Sequence, residues 1–436
     1  MFILTLNIKT SRLSRFERER YMQKFRDLYI TLTKSAMEQK LNEAITRLEK
    51  GDFDSHHLDC LLNPGKNPPI WSVRDCDCGE EECACVKACS FGALSKDENG
   101  KLCVDTDACQ SCGECLYACQ SPCLTDAKET LPILKEINEK KHPVYAMIAP
   151  AFIGQFSHDV SPGKLRTAFK LLGFAGMVEV ALFADILTLK EALEFDRHVK
   201  TNEDYMLTSC CCPVWLSMCK KAGLLDHIPG SVSPMVACGR GIKRLHPDAV
   251  TVFIGPCIAK KAEAKEADVR DAVDYVLTFQ EVQEMFSIAE IDLASLPEDD
   301  REHSSTAGRT YAYSGGVSQA VHACLDKLRP GRSIPLTSQS ADGVAGCREL
   351  IQKVLKGELS ANFVEGMGCK GGCVGGPKVL IDHESGKNHV QTYGSEAAYE
   401  TPAENPYVIE LLHRLGFSTV EELLEKDDIF TRHFIQ

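Results

Sequence analysis

No stretch of the 436 residues reaches the roughly 18 consecutive apolar side chains that a membrane-spanning helix needs. The opening Met1-Phe2-Ile3-Leu4-Thr5-Leu6 is short, and its basic residues follow the apolar run, the reverse of a secretory signal. Basic charge is not in excess either. The formal net charge of −13 argues against a phosphate backbone as partner and otherwise describes only a solvated surface. No internal repeat is visible beyond two cysteine runs. These absences lead to the expectation of a soluble, cytoplasmic protein with neither nucleic acid nor membrane among its partners. The length leaves room for two or three domains.

Cysteine is what the chain has in abundance. Its 22 cysteines cluster at Cys-x-Cys, Cys-x-x-Cys and Cys-x-x-x-Cys spacings, which point to metal ligation in a reducing compartment rather than a disulfide scaffold. Cys109, Cys112, Cys115 and Cys119 form a full Cys-x2-Cys-x2-Cys-x3-Cys run. Three such thiolates wrap one face of a [4Fe–4S] cube while the fourth reaches a neighbouring cube. Zinc is the lesser alternative, because zinc sites pair two Cys-x-x-Cys units across a longer gap. Upstream, Cys76, Cys78, Cys83 and Cys85 offer four candidates for three places, with Cys119 completing that cube and Cys89 completing the cube of Cys109, Cys112 and Cys115. Cys60, Cys103 and Cys123 read as buried thiols rather than ligands.

Elsewhere the patterning is that of an α/β protein. Phe25, Leu28, Tyr29, Leu32, Leu41, Ile45 and Leu48 recur at helical spacing in an N-terminal segment expected to cap the domains that follow. Pro/Gly punctuation at 63–69 marks a linker. Beyond residue 130, apolar strand-like runs (144–150, 177–181, 250–254, 273–277) alternate with helix-like ones (134–141, 165–172, 184–199, 279–289), which implies parallel strands flanked by helices. The charge run at Glu298, Asp299 and Asp300 reads as a solvated loop, and the tail from Asn405 as helices that only pack.

Within this region lies Thr208-Ser209-Cys210-Cys211-Cys212-Pro213-Val214-Trp215. Neighbouring side chains point in different directions, so three consecutive cysteines cannot all face one metal. Two distant stretches suit it as partners: Gly255-Pro256-Cys257-Ile258-Ala259-Lys260-Lys261, directly after an expected strand, and Glu365-Gly366-Met367-Gly368-Cys369-Lys370-Gly371-Gly372-Cys373. Glycines in the last stretch would let backbone N–H groups approach sulfur and tune a cluster's potential.

In order, these three stretches resemble the signature motifs of the [FeFe]-hydrogenases, and the preceding cysteine-dense segment resembles the family's two-cluster ferredoxin-like domain. The resemblance implies an N-terminal helical segment (1–70), a small α+β ferredoxin-like domain with two [4Fe–4S] clusters (71–130), and an α/β catalytic domain of two parallel-sheet lobes (131–436). It implies that Cys212, Cys257, Cys369 and Cys373 hold the [4Fe–4S] part of an H-cluster. Cys373 would bridge to a two-iron subsite carrying CO, cyanide and azadithiolate. By the same resemblance Cys211 relays the proton, Lys260 meets a cyanide ligand, and Met367, Pro150 and Ala151 line the pocket. Glu191, Ser231 and Glu194 match the proton route to solvent. The implied reaction is reversible 2H⁺ + 2e⁻ ⇌ H₂, with a soluble carrier (ferredoxin or flavodoxin) and hydrogenase maturation proteins as partners.

Departures from the family's pattern are also visible. Gly255 stands where methionine is usual, which should leave a roomier pocket, and Tyr311 stands where phenylalanine is common. Cys210 is an added thiol: either a small buried residue in place of serine, or a device that lets Cys211 cover the open iron under oxidising conditions. Alternative readings are an iron–sulfur assembly factor without a two-iron subsite, a hydrogen sensor, and a plain ferredoxin carrier. Cys211, Lys260 and Met367 argue against the first, because those residues serve only the subsite.

Overall fold

The computed structural model describes residues 15–48, 53–76, 78, 83–98, 100–119, 123–208, 211–301, 303–426 and 429–434, with side chains from residue 24 onward. Two helices, Arg15–Met37 and Leu41–Leu48, open the described chain. Phe25, Leu28, Tyr29 and Leu32 are buried, as the helical spacing requires. The Tyr29 hydroxyl lies 2.7 Å from Thr130 Oγ1, and Asn138 donates to the Ala36 carbonyl at 2.8 Å, so this segment caps the helix Thr130–Glu139.

Eleven strands are described. β1 (Ile70–Ser72) pairs antiparallel with β4 (Leu124–Asp126), and β2 (Leu94–Lys96) with β3 (Leu102–Val104). These two ribbons and the short helices Ala84–Ala88 and Glu114–Ala118 frame the cysteine-dense segment. Next come β5 (Val144–Ile148), β6 (Gly176–Glu179), β7 (Met206–Leu207), β8 (Val250–Gly255), β9 (Tyr275–Thr278), β10 (Ser338–Asp342) and β11 (Phe363–Met367). They form two wholly parallel sheets, ordered β6-β5-β8-β9 and β10-β11-β7.

Helices cover both sheets, which is the α/β arrangement that alternation of strand and helix predicts. The long helix Ala181–His198 is buried from Ala181 to Phe195 apart from Leu182. Topology then places the motifs. Pro150-Ala151 follows β5, Cys257 follows β8, Cys211-Cys212 follows β7, and Cys369 and Cys373 follow β11. Every motif therefore leaves the C-terminal end of a parallel strand, the edge where open α/β sheets carry their ligands.

Two expectations need extending. The charge run is exposed at Glu298 and Asp300 as expected but does not only face solvent: Glu298 accepts from Ser161, and Asp299 pairs with Lys170 at 2.6 Å and accepts from Arg166 through its carbonyl. It clasps the helix Pro162–Leu171. Nor does the whole tail only pack. Arg432 N–H donates to the Gly230 carbonyl at 2.8 Å, and Val232 N–H to the Phe430 carbonyl at 3.2 Å, so the last described residues hold the loop that carries Ser231.

Candidate metal centre

Cys212 caps the helix Pro213–Lys221, whose Pro213 sits in the first turn, where a missing N–H costs nothing. A helix N-terminus also favours a thiolate. Cys211 packs against the larger core together with Cys373, whereas Cys212 packs with Cys257 against a second core of Leu207, Val214 and Trp215. Adjacent thiols thus face different sides. Trp215 Nε1 donates to the Thr208 carbonyl at 3.2 Å, closing the loop on itself. A Cβ at Gly366 would lie 2.0 Å from the Trp215 ring, so the glycine of one motif is what seats the tryptophan of another.

Cys212, Cys257, Cys369 and Cys373 share one electrostatic environment. Burial pushes the Cys257 thiol up to about 11, with Cys212 adding to it. Burial, then Cys257 and Cys212, push Cys373 up to about 12. Cys369 is raised further by burial and by Cys257, Cys212 and Cys373 together. Three thiols that resist ionising, side by side with Cys212, make a donor set suited to bind as thiolates to a cation. The Gly368 N–H points at Cys212 Sγ from 3.2 Å, the glycine contact expected of a cluster site. Among the described residues no group of three or more His, Cys, Asp or Glu side chains suits a single metal ion. Four thiols with a backbone N–H donor fit an iron–sulfur cube instead.

Lys260 is buried beside this set, 2.5 Å from Glu263. Burial alone would lower its pKa, but Glu263, Cys257 and Cys211 raise it, so it holds an ammonium within reach of both thiols. Met367 is buried, and a Cβ on Gly372 would stand 2.8 Å from its sulfur. The thioether thus lies over the turn that leads into Cys373, and Gly372, at φ +94°, is where that turn needs glycine. Ala151 is fully buried and Pro150 half-buried. Tyr311 is buried with its hydroxyl 2.9 Å from Thr188 Oγ1, which gives the extra oxygen a partner. A Cβ at Gly255 would meet the Phe253 ring at 2.7 Å and the Ala149 methyl at 3.2 Å, so the Phe253 ring and the Ala149 methyl lie close against this glycine. Cys210 lies outside the described residues.

The cysteine-dense segment separates into two groups. Cys89, Cys109, Cys112 and Cys115 influence one another, with Cys112 and Cys115 each pushed to about 12, chiefly by burial. Backbone N–H groups of Ala93 and Ser111 point at Cys89 and Cys109 sulfurs from 3.2 and 3.4 Å. This group adjoins the main site: Cys112 acts on Cys369, and the Tyr117 hydroxyl donates to the Gly376 carbonyl at 3.1 Å.

The second group holds six thiols. Cys76 lies 4.0 Å from Cys83, Cys83 lies 3.4 Å from Cys85, Cys119 lies 3.4 Å from Cys123, and Cys78 and Cys123 both touch Cys76. Cys123, read from sequence as a bystander, stands inside this group. Its Cys-x-x-x-Cys spacing from Cys119 was legible, but Cys119 already closed a complete run, so the spacing was passed over. Cys60 is buried as expected, but Cys103 is exposed, because it sits on the outer face of β3.

Glu191 and Glu194 are 0% and 7% exposed, not the surface charges that i, i+3 glutamates usually are. Ser231 is buried too, and Lys190 Nζ donates to its Oγ at 3.0 Å. Lys190 stands 3.7 Å from Glu194, which hydrogen-bonds the His198 ring at 3.0 Å. Sequence reasoning passed over Lys190 and His198, although their i, i+4 spacing about Glu194 is legible.

A family model for the iron only hydrogenase large subunit, C-terminal domain, matches residues 142–377. The chain is 26% identical to an NADP-reducing hydrogenase subunit of Solidesulfovibrio fructosivorans, over 78% of its own length and 71% of that protein's. It is equally 26% identical to the cytosolic iron-sulfur assembly component 3 of Bos taurus, over 74% of its own length and 82% of that protein's. Among solved structures, an apo [FeFe]-hydrogenase of Chlamydomonas reinhardtii shares the fold, with a TM-score of 0.56 and 20% identity over 70% of this chain and 98% of that one. The relatives therefore include both hydrogenases and assembly factors.

Proposed function

The chain belongs to the iron-only hydrogenase family, and on that premise we propose that it is an [FeFe]-hydrogenase catalysing reversible 2H⁺ + 2e⁻ ⇌ H₂. One observation carries this reading beyond the family: a thiol, Cys211, and an ammonium, Lys260, stand against the four-cysteine set without belonging to it. A cluster scaffold alone has no use for either.

Cys212, Cys257, Cys369 and Cys373 would hold the H-cluster, which when bound supplies the electrons and the open iron position that hydrogen chemistry needs. The protein's own contributions follow from its side chains. Lys260 places positive charge where anionic ligands would lie, and Gly368 N–H draws charge from the Cys212 sulfur. Met367, Ala151, Pro150 and Tyr311 wall the site against water. Cys211 holds and releases the proton at its Sγ, since a thiol can both donate a proton and take one back. Glu191, Ser231 and Glu194 carry protons between that thiol and solvent. Electrons from a soluble carrier such as ferredoxin or flavodoxin would enter at the six-thiol group and leave through the Cys89 group, whose Cys112 acts on Cys369. Both groups would hold [4Fe–4S] clusters, and maturation proteins would install the two-iron unit.

The assembly-factor reading draws support from the bovine relative, and it makes a different prediction for Cys211. In the matured protein driven by reduced viologen, Cys211→Ala should keep its iron yet lose hydrogen evolution by roughly 10²-fold or more. Matured wild type that evolves no hydrogen at all would favour the assembly factor.

A further inference from the structure

Six thiols gather where a [4Fe–4S] cube takes four, and the surplus falls in two places. Cys76, Cys78, Cys83 and Cys85 offer four sulfurs for three corners, and Cys119 and Cys123 offer two for the fourth. The second surplus is the better defined. Cys119 and Cys123 lie sulfur to sulfur at 3.4 Å. Thiolates on different irons point outward from separate corners of a cube, so two sulfurs in hydrogen-bonding contact compete for one corner. Each also reaches the rest of the set: Cys119 hydrogen-bonds Cys85, and Cys123 hydrogen-bonds Cys76.

Cys123 is not placed as a bystander. A bystander thiol packs among apolar side chains, as Cys238 does in the larger core. Cys123 instead has sulfur on two sides, and its backbone is pinned. Its carbonyl accepts from the Val73 N–H at 2.8 Å and from Ser72 Oγ at 3.2 Å, where the β1–β4 ladder begins. The N–H groups of Cys123 and Leu124 in turn point at the Cys119 sulfur. The two thiols thus form one small unit, yet their surroundings differ. Cys119, at the C-terminal cap of the helix Glu114–Ala118, is half-buried, whereas Cys123 is fully buried.

We propose that Cys119 and Cys123 are interchangeable ligands at the fourth corner of this cube, which therefore has two ligand states. The proposal rests on the reading above that the six-thiol group holds a [4Fe–4S] cluster. The exchange needs no other reactant. As one Fe–S bond breaks and the other forms, the incoming thiol gives its proton to the leaving thiolate across the sulfur–sulfur contact, and no electron is gained or lost. In the Cys119 state the ligand faces solvent and accepts from two N–H groups, and both favour the extra negative charge of a reduced cube. In the Cys123 state the ligand is enclosed. The Cys119 state therefore has the higher reduction potential, and the exchange alters how readily the cube passes an electron towards the Cys89 group.

The test uses the full unmatured chain loaded with iron and sulfide, so hydrogen activity does not enter. Wild type should hold three cubes, about twelve irons per chain. Cys119→Ala and Cys123→Ala should each keep all three cubes, since the remaining thiol takes the corner. The double variant should fall to about eight irons, with sulfide falling in step. Redox titration of the single variants should place this cube higher in Cys123→Ala than in Cys119→Ala. Loss of a cube in either single variant that melts like wild type overturns the proposal, because one thiol is then obligatory. A double variant that keeps all three cubes overturns it too, as do equal potentials in the two single variants. Should Cys123→Ala or the double variant fail to fold, loss of a cube in Cys119→Ala overturns it alone. Wild type that takes up only about eight irons would instead refute the cluster reading of the six-thiol group itself.

Discussion

A single methyl group on residue 366 would sit 2.0 Å from the Trp215 ring, and the ring has no room to retreat because its Nε1 is tied to the Thr208 carbonyl. Gly366→Ala should therefore lower stability by roughly 1–3 kcal/mol, which a thermal melt of the full chain would register. Because Trp215 lies in the helix that Cys212 caps, iron content should fall with it. Trp215→Phe in the same background should recover part of both losses. Residues of this kind were half legible. The cysteines announced themselves by spacing, and the i, i+3 glutamates by their place on one helix. The dependence of Trp215 on Gly366, like that of Ser231 on Arg432, is a contact between segments far apart in sequence. No local pattern encodes it.

Among the elements, the helix Glu114–Ala118 has an outsized position. Gly113 caps it at φ +85°, and a side chain there would meet Pro377 Cβ at 2.6 Å and Ile258 at 3.3 Å. This cap is where the Cys89 group docks on the main site. Gly113→Val should pry the two apart while leaving the four-cysteine set intact. Hydrogen evolution from a protein carrier should then fall, whereas hydrogen–deuterium exchange, which needs no electrons from outside, should stay near wild type. Equal loss of both would mean that the cap serves folding rather than electron delivery. Of the two sheets, the one built on β5 and β8 was visible as apolar runs. The other was not, because β7 has two residues and β10 reads Ser-Gln-Ser-Ala-Asp. β11 carries Glu365, a buried carboxylate held by the Gly315 and Ser318 N–H groups and the Ser318 hydroxyl. A charge in mid-strand masks the periodicity on which such readings depend.

At the scale of the molecule, the cysteine-dense segment is fastened to the catalytic region by a buried ionic knot. Asp126, at the end of β4, meets Lys128 at 2.9 Å, Lys378 at 2.8 Å and Lys261 at 3.7 Å, and Lys261 also meets Glu281 at 2.8 Å. Burial would raise the Asp126 pKa, but Lys128, Lys378 and Lys261 outweigh it and hold the carboxyl well below its usual range. The folded protein thus binds fewer protons than the unfolded chain. The knot's contribution is complete above the unfolded value of about 3.9 and is lost as pH falls through the folded value. Urea melts of the unmatured chain should show stability dropping below about pH 4, and Asp126→Asn should lack that component while losing roughly 3–5 kcal/mol at neutral pH. A pH profile identical in wild type and variant would show that the knot is dispensable.

The central claim is that four thiolates from the ends of three strands, β7, β8 and β11, carry a cluster with a two-iron unit beside Cys211. Infrared spectroscopy of the protein matured with its maturation proteins tests this most directly. The account predicts bands of iron-bound CO and cyanide that vanish in Cys373→Ala and persist in Cys211→Ala. A fully iron-loaded protein with no such bands would contradict it.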